Sequence, residues 1–197
     1  CAQAILLAIA IAIMSLFQFR LMGVDDRAAS YQAVSYLIQQ GHSKIAVLGG
    51  PVTSYPSMMR REGAQQAMRD AGIQFNDNLY GLSNYDFESA YHAMNSLLAR
   101  RAEFTALFAM SDVIAFGAVR ALVSAGFRVP EDVSVIGFDG ITMSRYCVPV
   151  MTTIVQPSEQ IALQSIELLV RQIEHGAPAQ TITLQPELQR GESVRAI

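Results

Sequence analysis

A carboxylate and an amide close two neighbouring extended segments, and this pair is the clearest chemical feature of the sequence. Asp139 follows the β-branched run 133–138 beside two glycines, and Gln156 follows the extended segment 151–155. An acid released at the carboxyl end of a buried strand lies where open α/β sheets present ligand-binding groups. The sequence therefore predicts that Asp139 and Gln156 contact a ligand.

Polar and aromatic side chains also follow the other predicted strands. They are Ser54, Tyr55 and Arg60 after the first strand, Asn84 and Tyr85 after the second, and Ser111 and Asp112 after the third. Strand-to-helix loops of a doubly wound sheet share one edge, so these groups should converge. A ring stacks on a sugar or base face while Arg and Asp bind adjacent hydroxyls, and such a set suits a small polyhydroxylated ligand.

Each of these residues also has a simpler interpretation. Ser111 and Asp112 form a good helix cap. Tyr85 also fits a half-buried surface aromatic, and Arg60 beside Arg61 fits a solvated helix face. Their shared position after successive strands favours the binding interpretation over these alternatives.

Catalysis, metal binding and nucleotide binding find little support. No histidine lies in a strand-end loop beside a candidate nucleophile, so an acid–base triad has no base. The loop Gly49-Gly50-Pro51 lacks the Lys-Ser/Thr ending of a P-loop and the spacing of a dinucleotide fingerprint. The histidines have no metal-ligand spacing, and His42 and His175 are expected at helix ends, where a cation suits the dipole. We therefore expect no enzyme, no metal and no cofactor.

Alternating strands and helices are expected to position the polar groups. The predicted buried strands are 44–49, 79–82, 104–110, 133–138 and 151–155. Continuous apolar strands separated by helices predict an α/β fold with a parallel, doubly wound sheet covered on both faces. A last helix should carry one apolar face, and two final segments, 181–184 and 187–194, should form a pair of short strands. That apolar face consists of Ala162, Ile166, Leu169, Val170 and Ile173.

The composition restricts the class of protein. With 197 residues, 51% of them hydrophobic, the chain can bury the core of one large or two small domains. The net charge is −3 and no basic cluster is present, so this chain alone should not hold DNA. Two cysteines are too few for a disulfide framework and fit a reducing compartment, so a cytoplasmic location is expected.

The segment 4–19 is nearly all apolar and does not follow the strand–helix alternation. It is shorter than the ~20 residues that span a bilayer. No basic segment precedes it, so it is a poor secretory signal. We favour a buried core segment, with a membrane-associated anchor and a remnant of a longer sequence as the alternatives.

A set of motifs, taken together and in order, resembles the effector-binding region of LacI/GalR-type transcriptional repressors. The motifs are LIQQGHSKIAVLGGP (37–51), RREG (60–63), AMSDVIAFGAVRAL (109–122), VPEDVSVIGFD (129–139), TTIVQP (152–157) and LQPELQRGESV (184–194). The resemblance extends from about residue 24 to the last residue. It implies a periplasmic-binding-protein-like fold with two α/β subdomains and a site for a small effector, usually a sugar or nucleobase.

The resemblance also assigns roles to single residues. Arg60 matches the arginine that contacts the effector, Tyr85 the aromatic that stacks on it, and Asp139 the acid that ends the GFD strand. Gln156 matches the polar residue of the TTI-x-Q crossover, and Asp25 the acid at the end of the strand before the first helix. The expected effector-binding set is therefore Arg60, Tyr85, Asp139, Gln156, Ser111, Asp25 and Ser54.

Dimerisation and domain organisation are further expectations from the family. Its members dimerise through this region, and interface residues are expected at Arg145, Tyr146 and Cys147. Nothing resembles the helix-turn-helix headpiece, and most of the first subdomain is expected to be missing. The expected organisation is an apolar segment at 1–22, a remnant of the N-terminal subdomain at 23–43 and 152–176, and a complete C-terminal effector-binding subdomain at 44–151 and 177–197.

Two functions from different classes follow. The leading hypothesis is the effector-sensing domain of a LacI-type transcriptional regulator, truncated at its N-terminus, which binds a small sugar-like ligand as a homodimer. DNA would then be a partner only through a headpiece absent from this sequence, and no membrane partner is expected. The alternative is the sugar-binding protein of a transport system, which shares the architecture. The motifs VPEDVSVIGFD and TTIVQP favour the repressor.

Overall fold

A computed structural model describes residues 22–175, 178 and 182–197 of the chain. The strands are β1 (Met22–Val24), β2 (Ile45–Gly49), β3 (Tyr80–Leu82), β4 (Ala106–Ala109), β5 (Ser134–Asp139), β6 (Thr152–Val155), β7 (Ile182–Leu184) and β8 (Glu187–Gln189). The helices are α1 (Asp26–Gln39), α2 (Tyr55–Asp70), α3 (Phe87–Ala99), α4 (Asp112–Ser124) and α5 (Ser158–His175). The apolar segment 4–19 lies outside the described residues.

The chain divides into two compact units. The larger unit comprises 26–156 and 187–197, and the smaller comprises 157–186 together with residues up to 25. In the smaller unit, β1 and β7 pair in parallel, with Val24 opposite Leu184. The expected organisation, which assigned 23–43 and 152–176 to one subdomain, stays a prediction. In the structure α1 packs on α2, and β6 pairs in register with β5, so both elements belong to the larger unit.

The large sheet has the strand order β3-β2-β4-β5-β6-β8. All its neighbours are parallel except β8, which pairs antiparallel with β6. The chain moves outward from β2 to β3 and then returns past β2 to β4. Because strand-to-strand crossovers are right-handed, α2 covers one face of the sheet while α3 and α4 cover the other. The predicted doubly wound sheet is therefore confirmed, with one antiparallel edge strand added.

Helix ends and helix contacts in the larger unit follow from local sequence. Three helices begin after side chains that cap them: Ser54 before α2, Asp86 before α3 and Ser111 before α4. Between the helices the packing is close, because a Cβ at Gly117 of α4 would lie 2.8 Å from the Cβ of Ala90 in α3. These short contacts hold the two helices in register over the apolar strands.

The core of the larger unit lies between these helices and the sheet. Its largest fully buried side chains include Phe108, Phe138, Leu37, Leu97, Leu107 and Leu122. Every residue of β2 and β4 is buried, as the continuous apolar runs of a parallel sheet predict. This core fixes the carboxyl ends of β2, β4, β5 and β6 along one edge of the sheet.

His42 departs from its expected role at a helix end. The side chain is 1% exposed, and its ring nitrogens lie 2.9 Å from Thr105 Oγ1 and 3.0 Å from Ser134 Oγ. Burial lowers its pKa, because the charged imidazolium would lose its hydration. The expectation of a cation complementing the α1 dipole is therefore wrong, and His42 instead connects two strands through neutral hydrogen bonds.

The last helix and the last strands also differ from expectation. None of the residues of α5 is buried, and the apolar side chains Ile166 and Ile173 are 62% and 57% exposed. Periodicity predicted the apolar face, but which element covers a face depends on tertiary packing. The two final strands do not pair with each other, because β7 pairs with β1 whereas β8 pairs with β6.

Candidate functional site

The carboxyl ends of four adjacent strands bring several of the predicted polar residues together. Gly50 follows β2, Met110 follows β4, Asp139 ends β5 and Gln156 follows β6. These strands are neighbours in the large sheet. The predicted convergence at one sheet edge is therefore realised within the larger unit.

Arg60, on the second turn of α2, is the centre of this edge. Its Nε donates to Oδ1 of Asp26 at 2.7 Å, and its Nη1 donates to the carbonyl of Met110 and lies 3.4 Å from Oδ1 of Asp139. The guanidinium carbon lies 3.7 Å from the centroid of the Phe138 ring. The residue is 7% exposed. Arg60 is therefore a buried, paired and stacked cation, and the solvated-face interpretation is wrong.

Asp139 connects Arg60 to the amide of Gln156. The Nε2 of Gln156 donates to Oδ1 of Asp139 at 2.6 Å, and the backbone N–H of Gln156 donates to the Asp139 carbonyl at 3.1 Å. Burial raises the pKa of the Asp139 carboxyl, while the Arg60 charge and the Gln156 hydrogen bond oppose that rise. The carboxylate and amide predicted to work together are thus directly bonded.

Tyr85 lies against the backbone of Gly50. A Cβ on Gly50 would lie 2.7 Å from Cδ2 of the Tyr85 ring and nearer still to two other ring atoms. Only glycine therefore leaves room for the ring at this position. The Tyr85 hydroxyl oxygen is buried and has no hydrogen-bond partner among the described residues.

Backbone strain marks two of the predicted contact residues. Within the described ranges, the non-glycine residues with positive φ are Tyr85 at 61°, Arg101 at 54° and Asp139 at 112°. Residues other than glycine rarely adopt a positive φ, and those that do occur preferentially at ligand-binding sites. The fold therefore maintains a costly backbone geometry at both Tyr85 and Asp139.

A short series of contacts joins Tyr85 to Arg60. Tyr85 packs on Gly50, and the Gly50 carbonyl accepts a hydrogen bond from Ser57 Oγ at 3.1 Å. Ser57 Oγ also lies 3.9 Å from the sulfur of Met110, whose carbonyl accepts from Arg60. The ring and the guanidinium are thus connected through a series of buried contacts.

Asp112, expected either among the converging polar groups or as part of a helix cap, connects three elements of the structure. Its side chain is fully buried; Oδ1 accepts from Thr153 Oγ1 at 2.6 Å and Oδ2 from the N–H of Ile141 at 2.9 Å. Burial raises the pKa of this carboxyl to about 6, although both hydrogen bonds oppose the rise. Asp112 therefore connects the start of α4, the loop after Asp139 and strand β6.

Asp26 is the acid that meets Arg60, and it was not among the expected effector-binding residues. Asp25, which was among them, belongs to the smaller unit, and its contact with an effector stays a prediction. Asp26 is the acidic residue in the first turn of α1, where a carboxylate also suits the helix dipole, so local sequence held no signal for its contact with Arg60.

Ser111 and Ser54 cap helices. Ser111 Oγ accepts from the N–H of Ile114 at 3.1 Å and its side chain is 4% exposed. Ser54 Oγ accepts from the N–H of Ser57 at 3.5 Å. Capping accounts for both hydroxyls, and their contact with an effector stays a prediction.

The predicted interface residues lie beyond the carboxyl end of β5. Tyr146 is 76% exposed and Val148 is 94% exposed. The Cys147 Sγ lies 3.3 Å from the Ser144 carbonyl and 3.2 Å from the Pro149 carbonyl, both within reach of its single S–H, and burial raises the pKa of the thiol. Dimerisation through Arg145, Tyr146 and Cys147 stays a prediction.

Among the described residues, no group of three His, Cys, Asp or Glu side chains is placed to hold a metal ion. No described helix is both long enough and apolar enough to cross a membrane.

Comparisons with known proteins agree with this architecture. Residues 34–194 match the periplasmic binding protein-like domain family. The chain is 36% identical over 177 residues to the HTH-type transcriptional repressor PurR of Histophilus somni, covering 88% of this chain and 53% of that protein. It therefore spans about half the length of this relative.

Two of the solved structures that are similar to the chain contain a bound ligand. One is a sugar-binding transcriptional regulator of the LacI family from Escherichia coli, complexed with phosphate, with a TM-score of 0.83 and 34% identity over 88% of this chain and 63% of that chain. The other is the transcriptional regulator CelR in complex with cellobiose, with a TM-score of 0.84 and 32% identity over 87% of this chain and 53% of that chain.

Proposed function

The chain belongs to the periplasmic-binding-protein-like family as an effector-binding region of the LacI/GalR type, and on this premise we propose that it binds a small, sugar-like effector at the carboxyl edge of its large sheet. The proposed contact residues are Arg60, Tyr85, Asp139 and Gln156. Ser111, Ser54 and Asp25 are proposed as outer members of the set.

One observation carries the proposal: the bonded cluster of Arg60, Asp139 and Gln156 at the edge where parallel sheets bind ligands. These side chains offer charged and amide hydrogen-bonding groups in a fixed arrangement. Such groups recognise adjacent hydroxyls, and the ring of Tyr85 offers a flat apolar surface for a sugar or base. The similarity to a regulator complexed with cellobiose supports a sugar as the class of effector.

The effector is proposed to act as a signal. A full-length regulator has a state with high affinity for DNA and a state with low affinity. An effector that binds one of these states more tightly shifts the protein toward that state, and DNA binding changes the affinity for the effector by the same factor. The partners proposed for the full-length protein are operator DNA and a second copy of the chain, and its proposed location is the cytoplasm. The names of the relatives favour this regulatory role over transport and over catalysis.

The proposal is tested by thermal unfolding with a panel of sugars, including cellobiose and ribose, and with nucleobases. A ligand selective for the folded state at about 100 times its Kd stabilises the protein by about 2.7 kcal/mol, which is a readily measured rise in Tm. We expect a response from wild type, and at least a tenfold weaker affinity for Tyr85→Ala because the stacking surface is lost.

Tyr36→Ala is the matched control, because Tyr36 lies on α1 near Arg190 and not at the sheet edge. It should retain the wild-type affinity. An unchanged affinity of Tyr85→Ala for a responding ligand would show that the site is wrongly placed.

A further inference from the structure

The charge of Arg60 is already compensated within the protein. Its side chain contacts two carboxylates, Asp26 at 2.7 Å and Asp139 at 3.4 Å. One guanidinium between two carboxylates leaves a formal excess of one negative charge when both acids are ionised. Arginine at a site usually suggests an anionic ligand, but this arginine has no charge left to offer one.

The hydrogen-bonding capacity of Arg60 is also largely used. A guanidinium has five N–H donors; here Nε serves Asp26, and Nη1 serves Met110 and Asp139. One face of the guanidinium is covered by the Phe138 ring. Among the described residues no acceptor is bonded to Nη2, and its donors suit a neutral oxygen acceptor.

The neighbouring cation on α2 is itself paired. Arg61, the next residue of α2, lies 3.2 Å from Asp77 and 4.4 Å from the ring centroid of Tyr80. A phosphate group, with about −1.5 to −2 charges at pH 7, would therefore approach a cluster whose formal charge is negative when Asp26 and Asp139 are both ionised.

We propose that the effector is an uncharged polyol and that the edge excludes phosphate esters, with Asp26 as the residue that determines this specificity. This inference rests on the proposed function for the identity of the neutral ligand. The exclusion of anions rests only on the Asp26–Arg60–Asp139 cluster. Asp26 acts by neutralising the charge of Arg60, so removing its carboxylate should increase the affinity of the protein for phosphate.

The first test uses inorganic phosphate, which requires no identified effector. Wild type, Asp26→Asn and Asp77→Asn are titrated with phosphate against chloride at constant ionic strength, because screening alone changes such interactions. Unfolding temperature and isothermal calorimetry are the measurements. We expect Asp26→Asn to bind phosphate at least tenfold more tightly than wild type.

Asp77→Asn is the matched control, because it releases Arg61 from an exposed ion pair instead of Arg60 from a buried one. It should bind phosphate like wild type. Asp139→Asn removes the other compensating carboxylate and should also gain phosphate affinity, and it carries the test if Asp26→Asn does not fold. Equal phosphate affinity in wild type and in the folded variants would overturn the inference.

The second test compares neutral sugars with their phosphate esters, such as ribose with ribose 5-phosphate. We expect wild type to bind a neutral sugar at least tenfold more tightly than its ester. If both bind equally, the inference fails while the proposed function stands. If no sugar binds but Asp26→Asn gains phosphate, the proposed function fails while the exclusion of anions stands.

Discussion

Replacing Asp112 by Asn should change how the free energy of unfolding depends on pH. The buried Asp112 carboxyl has a pKa of about 6 instead of its ordinary 3.8, because burial disfavours the ionised form. The folded state therefore binds the Asp112 proton more tightly than the unfolded state. This contribution to stability is fully present below pH 3.8 and is lost as the pH rises through 6.

The magnitude follows from the two pKa values. A shift of about 2 units corresponds to roughly 3 kcal/mol, at about 1.4 kcal/mol per unit. Asn cannot ionise, but it can accept a hydrogen bond from the Ile141 N–H and donate one to Thr153 Oγ1, the two present partners. The stability of Asp112→Asn relative to wild type should therefore increase by roughly 3 kcal/mol between pH 3 and pH 7, mostly between pH 4 and pH 6.

Urea unfolding followed by far-ultraviolet circular dichroism at several pH values measures this difference. Subtracting the free energy of unfolding of wild type from that of the variant cancels the contributions of the other titratable groups. One of these groups is His42, whose lowered pKa makes the free energy of unfolding rise with pH. Asp132→Asn is the control of opposite sign, because hydrogen bonds from Arg128 lower the pKa of Asp132 to about 2. The contribution of Asp132 to stability is therefore present above pH 3.8 and is lost as the pH falls through 2. A pH-independent difference for Asp112→Asn would refute the reasoning.

Two further substitutions test packing at the site and in the core. Gly50→Ala should displace the Tyr85 ring and weaken effector binding at least tenfold in calorimetric titration, because its Cβ would lie 2.7 Å from Cδ2 of Tyr85. Gly23→Ala is the control and should leave binding unchanged, because no described atom would lie within 4 Å of its Cβ. Leu122→Ala should lower the free energy of urea unfolding by about 2–5 kcal/mol, because this fully buried side chain would leave a cavity. On the same helix, Val123→Ala, 52% exposed, should change it by less than about 0.5 kcal/mol, and equal effects would contradict the core assignment.

Most of the larger unit could be predicted from local patterns. The runs at β2 and β4 are continuously apolar and occur as fully buried parallel strands. The cap at Ser111 also acts locally, since it bonds an N–H three residues later. What such patterns lack is information on which element packs on which. The apolar face of α5 was visible in the sequence, but its exposure was not.

The sequence by itself determined the order of strands and helices and the placement of Arg60, Asp139 and Gln156 near strand ends, because periodicity, caps and turn residues act over a few positions. Only the tertiary structure decided which charges meet. Arg60 and Asp139 are 79 residues apart, and Asp112 and Thr153 are 41 residues apart. Asp26 pairs with Arg60, and His42 is buried. Such contacts depend on the packing of distant elements, and they set the burial and charge compensation that give the site its character.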